Sequence, residues 1–316
     1  MDLPQLEGPK IGPFDPSGSH FHINFIERIG KGTHSVAWKV EINGSIYALS
    51  MFKYYDISKV LFPGELDTLH KYGLTDSEIL NSWDPFINEC RAYGRLQEVD
   101  ISHVAAKCYG YIFISADGHD SSKDVDIHEA KWVRCRNQTP NTPLDKLTFR
   151  AIVKEYIESE RAFVPKTIPK MMRNLKTLHK HGIIHRDIHA ANYREGLLVD
   201  FSSAITVPHY LLDVKLGYVK ADQIYSYEAD DEHEFDYMID KWNDENQTKI
   251  WRRFFANPRY SGRLRSKGEP SNSRVVDRWT QRIYRQNKRH AADYDWEGGM
   301  AKRRKTGSEA VQISII

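Results

Sequence analysis

Cysteine is scarce in this chain, and long apolar runs are missing. The three cysteines, Cys90, Cys108 and Cys135, are odd in number and form no C-x-x-C pair. The sequence therefore supports neither a disulfide scaffold nor a zinc site. No apolar run approaches the roughly 18 residues that a membrane helix needs. The first residues also lack the basic and apolar regions of a secretory signal. These absences predict a reduced, soluble, intracellular protein without a membrane partner.

The chain does contain enough apolar side chains for a core, and its charge is unevenly distributed. Of the 316 residues, 40% are hydrophobic and 12% aromatic, which is not the composition of a disordered protein. The net charge is +2, yet residues 263–316 carry 13 Lys or Arg against 6 Asp or Glu, a net charge of +7. The remainder is therefore mildly acidic, at −5. A basic tail of this kind predicts an interaction or targeting arm.

The first half of the chain has the pattern of a β-meander. Apolar residues alternate through 36–42 with the period of a strand. Asn43-Gly44 then gives one of the strongest signals for a tight hairpin, and 46–52 is the returning strand. Stretches 105–114 and 149–157 predict two further strands. The predicted sheet has five strands in all.

Helix signals interrupt and follow these strands. Asp84-Pro85 combines an N-cap with proline at the first helical position. A second helical pattern begins near residue 166 and stops at Gly182. The predicted organisation is an extended lead-in at 1–20, a β-rich half at 21–158 with insertions near 54–82 and 115–147, a helical half at 159–262, and the basic tail at 263–316.

A glycine-rich segment lies between the first two predicted strands. Gly30 and Gly32 would let backbone N–H groups approach a phosphate without interference from a Cβ atom. The motif is weak alone, because a Gly-x-Gly sequence in a hairpin is more often only a turn.

Residues 185–192 match H-R-D-x-x-x-x-N, a far more specific pattern. In it Asp187 would accept or orient the proton of a substrate hydroxyl, and Asn192 would hold magnesium. Asp200-Phe201-Ser202 follows an apolar strand and is close to D-F-G, whose aspartate bridges magnesium to the phosphates. The alternative interpretation is that this arrangement is retained only as scaffold.

These motifs resemble the protein kinases over about residues 25–205. A closer resemblance is to the fungal kinase-like family named after the Fta-two subunit of the Sim-four kinetochore complex, and the name implies a kinetochore role. The phrases that carry it are E-G-P-K at 7–10, Y-A-L at 47–49, E-C-R-A-Y-G-R-L at 89–96, A-I-V-K-E at 151–155 and V-D-F-S at 199–202.

The resemblance implies an α+β, bilobal fold with a five-stranded N-lobe sheet and a short helical C-lobe, and ATP and magnesium as cofactors. Glu89 would be the glutamate of the N-lobe helix. The implied nucleotide-binding residues are Gly30, Gly32, Ser35, Ala48, Ser50, Lys154, Glu155 and Ile157. The implied catalytic residues are Asp187, Asn192 and His189, and the implied metal ligands are Asn192 and Asp200.

The chain departs from the kinase pattern on the third strand, where Ser50 replaces a lysine that holds the phosphates. Nucleotide handling would then be weakened, or Lys31, Lys39 or Lys154 would supply the charge. Lys154 could also pair with Glu89, since a partly buried carboxylate needs a partner. The equally weighted alternative is that Lys154 reaches solvent.

Another departure is His189, which stands where Ser/Thr kinases carry lysine and gives the phosphoryl group less positive charge. It also resembles small-molecule phosphotransferases. Three functions therefore stay open. The first is an ATP-binding, kinase-like protein that transfers the γ-phosphoryl group to a Ser or Thr hydroxyl. The second is a weak or inactive pseudokinase that acts as a nuclear, kinetochore-type interaction module. The third is a small-molecule phosphotransferase.

Two basic clusters in the tail fit a bipartite nuclear import signal. They predict nuclear localisation, with the cytoplasm as the alternative, and an import receptor as a partner. A second protein partner would bind through the C-lobe or the tail, and nucleic acid is a weaker candidate. The residues of the signal are Lys288, Arg289, Lys302, Arg303, Arg304 and Lys305.

Overall fold

A computed structural model describes residues 3–4, 7–15, 22–53, 61, 63–115 and 148–248. All but the first residue of the predicted insertion at 115–147 lies outside these ranges, as do the basic tail and its import signal. The predicted domain boundaries stay predictions. Among the described helices, none is long and apolar enough to cross a membrane.

Five strands form one antiparallel sheet, as the sequence predicts. They are β1 (Ile23–Lys31), β2 (Ser35–Ile42), β3 (Ser45–Phe52), β4 (Cys108–Ser115) and β5 (Thr148–Glu155). Their order is β1-β2-β3-β5-β4. Asn43 and Gly44 both have positive φ, 50° and 77°, which is the backbone of a type I′ hairpin. The predicted turn between β2 and β3 is therefore confirmed.

Helices and short strand pairs complete the described fold. The helices are α1 (Pro63–Lys71), α2 (Asp76–Trp83), α3 (Pro85–Glu98), α4 (Ile168–Lys180) and α5 (Ala221–Glu245). The short strands are β6 (Ile183–Ile184), β7 (Tyr193–Arg194), β8 (Leu197–Leu198) and β9 (Ile205–Thr206). Strand β6 pairs with β9, and β7 pairs with β8. The described residues thus form a mixed α/β structure.

Helix α3 joins the sheet to the helical half through one continuous apolar core. Phe86 and Tyr93 of this helix belong to the same buried cluster as Ile152 of β5, Leu175 of α4 and Phe235 of α5. Its N-terminus begins at the predicted cap. Two helical N–H groups donate to Asp84 Oδ1, while Arg150 donates to Asp84 Oδ2 at 2.6 Å. This buried ion pair fixes the end of α3 against β5.

Residues 7–15, here called the N-terminal strap, cross α3 and the edge of the sheet. Ile11 N–H donates to the Cys90 carbonyl at 3.1 Å, and Phe14 N–H donates to the Tyr111 carbonyl at 2.8 Å. The strap approaches closely at Gly94, where a Cβ atom would lie 2.5 Å from Lys10 Cα. Glycine at this position therefore lets the strap lie directly on α3, beside the turn that carries Cys90.

His209 makes the fold sensitive to acid. Leu211 N–H donates to its Nδ1 and its Nε2 donates to the Ser82 carbonyl, so the bonded ring is neutral. Burial lowers the pKa of His209 from 6.5 to about 3. In the unfolded chain His209 is protonated below pH 6.5. In the folded chain it is protonated only below about pH 3.

We expect this histidine to lower the free energy of unfolding as the pH falls from 6.5 towards 3. Glutamine also offers an N–H donor and an acceptor, but it does not titrate. Between about pH 7 and about pH 5, the His209→Gln variant should lose less stability than wild type in urea denaturation. Parallel pH profiles for the two proteins would contradict the assignment.

Candidate nucleotide cleft

A cleft of about 610 Å³ lies between the sheet and the helical half. This volume falls within the usual range for small-molecule sites. Each residue that the sequence predicted for nucleotide, catalysis or metal lines it, apart from Glu89, which lies behind Lys154. These residues are Gly30, Gly32, Ser35, Ala48, Ser50, Lys154, Glu155, Ile157, Asp187, His189, Asn192 and Asp200. The structure thus brings them together, and their roles stay predictions.

The back of the cleft is formed by a buried ion pair. Lys154 Nζ donates to Glu89 Oε1 and to the Val199 carbonyl, both at 2.6 Å. Only 5% of Lys154 and 1% of Glu89 is exposed. The structure therefore selects the pairing interpretation for Lys154 and excludes the solvent-reaching one.

Burial and charge act in opposite directions on this pair. Burial raises the pKa of Glu89 to about 7, even though Lys154 opposes the shift. Burial alone would lower the pKa of Lys154, but the charges of Glu89 and Asp200 outweigh it and raise the pKa. The ammonium group therefore stays protonated at neutral pH.

Asp187 lies in the cleft with two partners. Asn192 Nδ2 donates to the Asp187 carbonyl at 2.8 Å and to its Oδ2 at 3.1 Å. His189 Nε2 lies 3.3 Å from Asp187 Oδ1. The hydrogen bond from His189 is the main cause that lowers the pKa of Asp187, and it raises the pKa of His189 in return. Asp187 is thus an ionised acceptor whose basicity is reduced.

Asp200 is held by the backbone and ring contacts of its own segment. Its Oδ1 accepts from Ser202 N–H at 2.7 Å, and its carbonyl accepts from His185 Nε2 at 2.7 Å. The ring of Phe201 is fully buried and lies 5.1 Å from that of Tyr93 on α3. The carboxylate is therefore fixed in the lining of the cleft, and α3 helps to fix it.

The glycine-rich loop closes over this segment. His34 Nδ1 shares a hydrogen bond with Ser202 Oγ at 3.1 Å. Lys53 Nζ donates to the Gly32 carbonyl at 2.5 Å. Burial lowers the pKa of His34, so the neutral ring is favoured in this contact. The two contacts hold the loop against the segment that contains Asp200.

Asn192 and Asp200 fit magnesium chemically. Among the described residues, Asn192 Oδ1 and Asp200 Oδ2 have no hydrogen-bond partner, so both oxygens can bind a cation. Within the same ranges, no three His, Cys, Asp or Glu side chains cluster to hold a metal alone. Amide and carboxylate oxygens are ligands that magnesium accepts, with water and phosphate able to supply the rest.

Asp231 of α5 is a site residue that the sequence prediction missed. It accepts hydrogen bonds from His185 N–H at 2.8 Å and Arg186 N–H at 2.7 Å through separate carboxylate oxygens. His179 Nε2 also donates to it at 2.9 Å. One buried carboxylate therefore fixes the backbone that presents Asp187. The signal was present in the helical spacing that places Asp231 on the same face as Phe235.

Comparisons with known proteins identify the family. No curated protein matches the chain significantly. The family model described as Kinetochore Sim4 complex subunit FTA2 matches residues 1–205. This range covers more than half of the chain and includes each residue that lines the cleft, while Asp231 lies beyond it. The chain therefore belongs to the kinetochore Sim4 complex subunit FTA2 family, which confirms the family that the sequence motifs resemble.

Proposed function

We propose that this chain is a kinase-like interaction module of the kinetochore that binds a magnesium–nucleotide complex in its cleft. Family membership indicates a kinetochore-associated role, protein partners and nuclear localisation. The kinase-like, bilobal fold and the nucleotide site are proposed beyond what family membership indicates. The single observation that carries it is the convergence of the glycine-rich loop, Asp187 with Asn192, Asp200 and the Lys154–Glu89 pair on one cleft.

The chemistry of the cleft suits a phosphorylated ligand. The N–H groups of residues 30–35 would face the phosphates, because this loop lies above Asp200 and two glycines keep it open to close approach. Asn192 and Asp200 would hold magnesium, which neutralises phosphate charge when bound. Residues 155–157 also line the cleft and would contact the base.

The same geometry favours binding over turnover. The contact with His189 lowers the pKa of Asp187, and a weaker base removes the proton of a hydroxyl less readily. Ser50 supplies no positive charge from β3. Phosphoryl transfer to a protein hydroxyl is the second candidate, and the Asn192–Asp187 hydrogen bond favours it because it directs the carboxylate into the cleft.

We expect a chain with Asp187→Asn to reach centromeres as wild type does. The substitution removes the proton acceptor without changing its size, so an interaction module should tolerate it. The measurement is the localisation of the fluorescently tagged variant after it replaces the cell's own copy. The matched control is Asp244→Asn at an exposed site in the last turn of α5. Loss of localisation by a folded Asp187→Asn protein alone would favour phosphoryl transfer instead.

A further inference from the structure

We infer that Lys154, which enters the cleft from β5, is the cation that binds the nucleotide phosphates in this chain. The inference rests on the proposed function, because it requires a nucleotide in the cleft. It adds an assignment that family membership does not contain, namely which strand supplies the positive charge and to which part of the ligand.

Strand register explains how a residue of β5 can serve a site on β3. Ser50 pairs with Ile152, and Ala48 pairs with Lys154. Side chains of directly paired residues lie on the same face of a sheet, so Ser50 and Lys154 are diagonal neighbours on the face above the cleft. Both line it. The long side chain of Lys154 can therefore bring an ammonium group to the region that Ser50 leaves without charge.

The hydrogen bonds of Lys154 leave one donor for a ligand. An ammonium group has three N–H donors. Among the described residues, Glu89 and the Val199 carbonyl use two of them, both at 2.6 Å. Val199 immediately precedes Asp200, so this ammonium lies next to the proposed magnesium ligand. The third donor is thus available where the phosphates of a magnesium–nucleotide complex would lie.

The other described cations around the cleft are placed differently. Lys39 Nζ lies 3.5 Å from Glu27 and 4.6 Å above the ring of Tyr156. The Arg186 guanidinium stacks on Trp83 at 5.4 Å. Lys31 is exposed, and Lys53 and Arg194 donate to backbone carbonyls. Among these described Lys and Arg residues, Lys154 alone combines burial, an anionic partner and a place in the cleft wall.

The burial of the pair also prepares the site before a ligand arrives. Glu89 holds the ammonium in one position, so the side chain loses little further freedom when phosphate binds. Phosphate in turn supplies negative charge to an ammonium that is shielded from water and cannot relax into solvent. The assignment therefore predicts selectivity for phosphorylated ligands over the bare nucleoside.

The test compares the binding of MgATP and of adenosine by titration calorimetry. Lys154→Met should weaken MgATP binding on the order of tenfold or more, the effect of one charge-assisted hydrogen bond, and leave adenosine binding unchanged. Lys154→Met leaves the buried Glu89 without its partner. A Glu89→Gln, Lys154→Met double variant therefore repeats the measurement without an unpaired buried charge. The Ser50→Lys, Lys154→Met double variant should recover MgATP binding.

Each outcome separates this inference from the proposed function. Unchanged MgATP affinity in Lys154→Met and in the Glu89→Gln, Lys154→Met double variant would overturn the role of Lys154 while leaving the nucleotide site intact. Equal losses for MgATP and adenosine would overturn it too, because they indicate a damaged cleft. A Ser50→Lys, Lys154→Met protein that binds no better than Lys154→Met would overturn the replacement of β3 charge by β5 charge. Failure of wild type to bind either ligand would instead overturn the proposed function.

Discussion

Replacement of Asp231 by alanine is expected to lower the free energy of unfolding by about 3–5 kcal/mol, the usual cost of removing one partner from a buried charged network. The carboxylate is 1% exposed and accepts from His185 N–H, Arg186 N–H and the His179 ring. Alanine would leave these three donors without their acceptor. A buried donor that loses its partner bears the full cost of its desolvation.

The Asp231→Ala substitution should also weaken ligand binding in the cleft. Arg186 has a positive φ of 63°, a left-handed backbone that a residue with a side chain rarely adopts, and Asp231 is bonded to its N–H. Without that bond the backbone that presents Asp187 would relax. We therefore expect Asp231→Ala to weaken MgATP binding as well as stability, although Asp231 does not line the cleft.

The measurement is urea denaturation of Asp231→Ala beside Asp244→Ala, which removes an exposed carboxylate from the same helix. The control should change stability by less than about 0.5 kcal/mol. Asp231→Asn should fall between the two, because it keeps an acceptor oxygen and loses the charge. A loss below about 1 kcal/mol for Asp231→Ala would contradict the assigned role of this carboxylate.

Two parts of the cleft could be predicted from sequence because short-range signals determine them. The Asn43-Gly44 turn fixes the β2–β3 hairpin, and that hairpin places Ser50 and Ala48 in the wall. The 185–192 motif holds Asp187 and Asn192 within one short segment, so local spacing alone brings them together. That these two segments share one cleft is a long-range arrangement, which the resemblance to the protein kinases implied and local spacing did not.

Long-range contacts explain what the sequence left open or missed. Whether Lys154 pairs with Glu89 depends on the burial of α3 against β5. The alternation of apolar and polar residues along a strand does not predict this burial. Asp231 lies in an acidic stretch, where the ordinary interpretation is a solvated helix face. Helix α2 overlaps the stretch near 54–82, which the sequence predicted only as an insertion. Its capping box, Thr75 with Glu78, is a local signal that could have located it.

The packing around α3 is also not predicted by any local sequence pattern. Gly94 lies inside a helix, where glycine normally lowers stability. Glycine is required here because a Cβ atom at position 94 would lie 2.5 Å from the backbone of Lys10. Only the folded structure shows that the strap, α3 and the Lys154–Glu89 pair form one connected set of contacts.

The second large effect is expected at Asp200, where alanine should abolish magnesium-dependent nucleotide binding. Asp200 is the only carboxylate among the two proposed ligands, and its Oδ2 is open to the cation in the described structure. Asp200→Asn is the matched variant. An asparagine can still accept from Ser202 N–H, so it preserves the local bond while it removes the charge that holds magnesium.

Titration calorimetry with MgATP on wild type, Asp200→Ala and Asp200→Asn tests the central claim most directly. We predict that wild type binds MgATP, that chelation of magnesium weakens this binding, and that both variants lose the magnesium dependence while remaining folded. Absence of wild-type binding at millimolar MgATP would contradict the nucleotide site. Equal binding by all three proteins would contradict the assignment of Asp200 as a magnesium ligand.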